Sequence, residues 1–245
     1  MVSVPADRSA KMIAMRSFLV ATLIAAGLLA AGCGGGGSSS SGTNGEASKS
    51  GQQVLSDAVK AAEAASSVHV SGQIDAAGQQ IGLDITLVKG KGATGSMTLG
   101  GQKVDLVVIG SDVYIKAGTA FWTQFGGTNG STVAPMLQGK WVKVPASNTT
   151  FAELSSLTDS TTFFHGLGSV SGTVKNDGAT TYKGQKVVAI ESQGKLYVAN
   201  TGTPYPVAAV ASGTATAGTL AFGGWNKAVT LSAPSGALDF SHVSG

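Results

Sequence analysis

The chain has 245 residues, a formal net charge of +3 at pH 7, 42% hydrophobic residues and 12% charged ones. Charged residues at half the usual ~25% exclude a charge-driven disordered chain and a nucleic-acid binder, and 36 glycines without a three-residue period exclude collagen. A single cysteine, Cys33, rules out an intramolecular disulfide and a thiolate metal cluster.

Arg8, Lys11 and Arg16 precede an uncharged apolar run from Phe18 to Ala31. That run is shorter than the ~20 residues a permanent membrane helix needs, and it closes on small residues, the order of a cleaved secretion signal over residues 1–32. Cys33 follows Leu28-Leu29-Ala30-Ala31-Gly32 and resembles the acceptor cysteine of a bacterial lipobox, with the leucine one place earlier than usual. The resemblance implies a diacylglyceryl thioether on Cys33 as the link to the membrane; two or more acyl chains, at ~0.8 kcal/mol per buried methylene, hold far better than one. Cleavage would remove Arg8, Lys11, Arg16 and Asp7, lower the net charge from +3 to +1, and leave a chain without arginine. Bidentate arginine clamps for phosphate or carboxylate are then absent.

Cys33 and the Gly, Ser, Thr and Asn-rich stretch to Gly51 read as a flexible tether, with a single globular domain over 52–245. Ser50 and Gln53 fit a capping box, and Val54, Leu55, Ala58, Val59, Ala62 and Ala65 follow at helical spacing through Ser66. The period then changes to two. Val68, Val70 and Ile74 alternate with polar residues, as do Ile81, Leu83, Ile85 and Leu87; further strands are predicted at 95–99, 103–109, 113–117 and 141–144, with Gly100-Gly101 and Gly110-Ser111-Asp112 as hairpin turns.

Thr150-Phe151-Ala152-Glu153 fits a second capping box, and a turn of helix is predicted near Phe163 and Phe164. Strands are then expected at 170–175, 185–191, 195–199, 205–211, 219–222 and 228–232. About ten strands with helices at the start and centre predict an antiparallel α+β domain whose sheet has one dry face, covered by the helices.

Catalytic signals are lacking. The sequence has no G-x-S-x-G elbow, no HExxH, no paired-cysteine or EF-hand spacing, and His69, His165 and His242 share no motif. Glu153 is accounted for by its place in the capping box. No enzymatic activity, cofactor or metal is expected. What the central section does concentrate is apolar bulk, and Leu106, Val108, Trp122, Phe125, Trp141, Phe151, Leu154, Leu157 and Phe163 are the candidate lining of an apolar cavity between sheet and helices.

Several segments carry a family resemblance: Val113-Tyr114-Ile115-Lys116, Gly139-Lys140-Trp141-Val142-Lys143-Val144, Lys195-Leu196-Tyr197-Val198-Ala199, Thr203-Pro204-Tyr205-Pro206-Val207, and Phe222-Gly223-Gly224-Trp225-Asn226-Lys227-Ala228-Val229 leading to Ala233-Pro234. With the lipobox cysteine and tether, this order resembles actinobacterial lipoproteins of the LppX/LprAFG type. The resemblance implies a LolA/LolB-like half-barrel, a strongly curved antiparallel sheet with helices on its concave face. It also implies an acylated lipid or glycolipid as ligand, transport or sensing in the cell envelope at the outer face of the cytoplasmic membrane, and an envelope transporter as partner. The second reading is an adaptor lipoprotein that binds an envelope protein and no small ligand, marked by an exposed apolar patch in place of a void.

Overall fold

A computed structural model of the chain describes residues 42–76, 78–126, 129–144, 158–170, 172–213 and 216–240. Cys33, Phe151, Leu154, Leu157 and the second capping box lie outside the described residues.

Helix α1 (Gly51–Ala64) begins where expected, and both halves of its capping box are made: Gln53 N donates to Ser50 Oγ at 3.3 Å and Ser50 N to Gln53 Oε1 at 3.0 Å. Such a box satisfies two amides that the first helical turn leaves unpaired. Val54, Leu55, Ala58 and Ala62 form its buried stripe. The helix stops two residues before the expected Ser66, because Ala65 turns extended to enter strand β1.

Five strands then run as an antiparallel meander: β1 (Ser67–Ala76), β2 (Gln79–Val88), β3 (Gly92–Leu99), β4 (Gln102–Ile109) and β5 (Asp112–Ala117). Gly100 and Gly101, with φ of 55° and 79°, make the tight β3–β4 turn, a backbone that only glycine enters without steric cost. Two short helices, α2 (Thr119–Phe125) and α3 (Gly130–Leu137), precede β6 (Trp141–Val144), which pairs with β5. Helix α4 (Ser160–Gly168) is capped by Asp159, whose Oδ1 accepts from Thr162 N at 2.7 Å.

A second antiparallel meander follows: β7 (Lys175–Tyr182), β8 (Gln185–Glu191), β9 (Gly194–Ala199), β10 (Pro206–Ser212) and β11 (Thr216–Gly223). Strand β11 pairs antiparallel with β1 and joins the meanders into one twelve-stranded sheet; β12 (Leu238–Asp239) adds a parallel pair to β6 at the far edge. The strand order is β12-β6-β5-β4-β3-β2-β1-β11-β10-β9-β8-β7, an open sheet with helices on one face: the α+β half-barrel predicted from the sequence.

Two expectations are corrected. The strand placed at 170–175 begins only at Lys175, and residues 228–232 form no strand. Their alternating Val229 and Leu231 belong to a connection that leaves β11 and reaches β12 at the β6 edge of the sheet. Residues before Gln52 also bond to the sheet. Asn44 donates through its backbone N to Asn200 O at 3.1 Å and through Nδ2 to Ala199 O at 2.8 Å, while Asn176 Nδ2 donates to Lys49 O at 2.7 Å. A 3-10 turn at Glu46–Ser48 is thereby fastened to the sheet edge, because its backbone groups find partners there that a free tether would take from water.

The helix-covered face carries two hydrophobic clusters. Helices α2 and α3 cover β3–β6 through Phe121, Trp122, Val133 and Leu137, joined by Phe240. Helices α1 and α4 cover β1, β2 and β8–β11 through Val54, Leu55, Ala58 and Phe164. Among the described residues, partly buried Leu83 alone packs against both.

Candidate ligand-binding face

Antiparallel register sets which side chains share a face, since residues directly opposite point the same way. Val70 faces Ile85 and Phe222; Gly72 faces Leu83 and Leu220; Ile74 faces Ile81 and Gly218. Leu220 in turn faces Ala209, and Gly218 faces Ala211. All these positions lie on the helix-covered side. Their ionisable neighbours His69, Asp75 and Asp84 alternate onto the other side.

Burial changes along this inner face. Val68, Val70, Ile85 and Leu87 are buried beneath α1 and α4, and Leu106, Val108 and Ile115 beneath α2 and α3. Farther along β1, β2, β10 and β11, Gly72, Ile74, Leu83, Ala209, Ala211, Gly218 and Leu220 are half-buried, and Leu83, Ala209 and Leu220 pack against the α1–α4 cluster. An apolar strip without charged side chains thus continues the inner face beside the α1–α4 core. Apolar surface in such a concavity suits an alkyl chain, which asks for area and not for hydrogen bonds.

Of the nine residues expected to line a cavity, six are among the described residues. Leu106, Val108, Trp122 and Phe125 come together in the α2–α3 cluster, where Trp122 is fully buried, 5.3 Å from the Phe121 ring and 6.0 Å from Phe240. Phe163 packs against the other cluster. Trp141 takes the opposite side of β6, because Val142 and Val144 hold its inner positions. The strip residues Gly72, Leu83 and Leu220 were missed, although the two-residue period had already put Leu83 on the dry face.

Electrostatic groups stand at the margins. Lys49 Nζ lies 2.7 Å from both Glu46 Oε1 and Asp57 Oδ2, and Asp57 first, then Glu46, raise the lysine above its ordinary value. On β7, Lys175 and then Lys195 hold the Asp177 carboxyl below the usual carboxylate range. His69 Nε2 pairs with Asp84 Oδ1 at 2.7 Å on the open face, and His165 sits exposed in the last turn of α4. Among the described residues, no group of three or more His, Cys, Asp and Glu could hold a metal, and no helix is long and apolar enough to cross a membrane.

No family model and no curated protein matches the sequence. Among solved structures, LprF from Mycobacterium bovis superposes with a TM-score of 0.54 at 14% identity, covering 80% of this chain and all of LprF. The chain has the fold of LprF. Lipoprotein LppX from Mycobacterium tuberculosis also matches, with a TM-score of 0.47 at 15% identity over 74% of this chain and 98% of LppX. The LprF fold is the architecture that the short motifs had implied, and the strand order above gives its detail in this chain.

Proposed function

We propose that this protein is a non-enzymatic lipoprotein of the cell envelope, anchored by acyl chains on Cys33, that holds an acyl-chain lipid or glycolipid on the inner face of its half-barrel for transport or sensing. The observation that carries the reading is the half-buried apolar strip of Gly72, Ile74, Leu83, Ala209 and Leu220 beside the α1–α4 core on the inner face. Burying an alkyl chain there would be driven by about 25 cal/mol per Å² of apolar surface removed from water. A ligand held mainly by area, with few polar contacts, can be taken up and handed on. The LprF fold, the lipobox residues and the tether support the same reading.

The test is titration of the purified protein with a fluorescent fatty acid, for wild type and for Leu83→Trp and Leu220→Trp, which fill the strip. Saturable binding lost in both variants at unchanged thermal stability is the expected result. Unsaturable binding, or binding that neither variant alters, would overturn the assignment. For the anchor, Cys33→Ser should abolish labelled palmitate incorporation and release the protein from the membrane fraction.

A further inference from the structure

Two adjoining open clefts lie around the end of β11 and share Phe222, Gly223 and Gly224. One, of about 370 Å³, is bordered by Gln185, Thr201, Thr203, Tyr205 and Trp225, with Ala199 and Val207 as apolar neighbours. The other, of about 310 Å³, is bordered by His69, Ser71, Thr86 and Lys227.

The first cleft has a built aromatic wall. The Tyr205 and Trp225 rings stack with centroids 4.4 Å apart and planes 8° from parallel, and Trp225 also meets Phe164 of the core at 5.5 Å. Asn226 fixes the pair. Its Nδ2 donates to the Tyr205 hydroxyl at 2.7 Å, its Oδ1 accepts from Ser66 N at 2.8 Å, and its own N donates to Ser67 O at 3.0 Å. Asn226 holds a φ of 59°, a left-handed backbone that few residues other than glycine and asparagine adopt. The wall is therefore tied to the α1–β1 junction before any ligand arrives.

We infer that this cleft binds a neutral, hydroxyl-rich sugar ring of a glycan. A pyranose offers one face of C–H groups, which would pack on the Tyr205 ring face turned away from Trp225, and a rim of hydroxyls. Gln185, Thr201 and Thr203 supply uncharged donors and acceptors for that rim, and among the described residues none bordering this cleft carries a charge to favour phosphate or carboxylate. The volume is at the lower end for small-molecule sites, the size of one or two sugar units. A wall already held in place saves the ordering cost of binding. The site is separate from the inner apolar strip and does not rest on the acyl-chain reading.

The test is native affinity electrophoresis of the secreted Cys33→Ser protein in gels carrying dextran, mannan, galactan, soluble cellulose or N-acetylglucosamine oligomers, with dextran sulfate as the anionic control. Wild type should be retarded by at least one neutral glycan. The double variant Thr201→Val/Thr203→Val and, separately, Gln185→Ala leave the ring stack untouched and should weaken that retention by about tenfold, the loss of one or two hydrogen bonds. Leu83→Trp should leave it unchanged. Retardation by none of the neutral glycans, retention equal in the threonine and glutamine variants, or stronger retention by dextran sulfate would overturn the inference.

Discussion

Gly72 and Gly218 stand on either side of the Gln73–Thr219 pair in the β1–β11 ladder, and each presses on that pair's backbone. A Cβ on Gly72 would lie 2.1 Å from Thr219 O, and one on Gly218 would lie 2.3 Å from Gln73 O. Their φ values of 141° and 136° belong to a region that L side chains rarely adopt. Both belong to the half-buried strip, so the same two residues let the strands approach closely and add no side chain to the inner face there.

Gly72→Ala and Gly218→Ala should each destabilise the domain by about 2–4 kcal/mol, since a methyl must either displace a neighbouring strand or force the backbone out of its conformation. Urea unfolding measures this. A loss under about 0.5 kcal/mol, the range of ordinary surface changes, would contradict the account of the strip.

Trp122 and Trp141 should separate by their surroundings. Trp122→Ala empties a fully buried site in the α2–α3 cluster and should cost about 3–5 kcal/mol, while half-exposed Trp141, on the other side of β6, should cost less than half of that. Equal costs would contradict the placement of Trp141.

Lys49 ties the 3-10 turn to α1 by bridging Glu46 and Asp57. Its raised value means that it binds its proton more tightly when folded. The stability it contributes is complete below its ordinary value of 10.5 and is lost as pH rises through the folded value above that. Lys49→Met should therefore be less stable than wild type at pH 7, by about 0.5–1 kcal/mol once solvent screening of the partly exposed ammonium is counted, partly because the buried Glu46 loses its cation. The gap should narrow as pH rises from 7 through the folded value, as read by chemical denaturation across that range. A gap that is constant with pH would remove the bridge from the account.

Much of this fold was legible because period and capping speak locally. Gln185–Glu191 and Trp141–Val144 fall where alternation put them, and Ser50 with Gln53 announced α1. Strand β7 was misplaced because it is a sheet edge: its run Asn176-Asp177-Gly178-Ala179-Thr180-Thr181 has no dry face to alternate, and it is a strand only through pairing with β8. Helices α2 and α3 have seven and eight residues, too short for a period to emerge, and packing on β4 and β5 sustains them. Of the bulky residues expected at a pocket, Leu106, Val108 and Trp122 are fully buried in the α2–α3 cluster, whereas the strip contains Gly72 and Gly218, which apolarity alone does not signal.

The most direct test of the central claim is native mass spectrometry, with solvent extraction, of the Cys33→Ser protein secreted by an actinobacterial host and purified without detergent. The account predicts a stoichiometric acyl-chain lipid on wild type that is missing from Leu83→Trp. A bare protein mass in repeated preparations, alongside a protein partner that is retained, would contradict it and favour the adaptor reading.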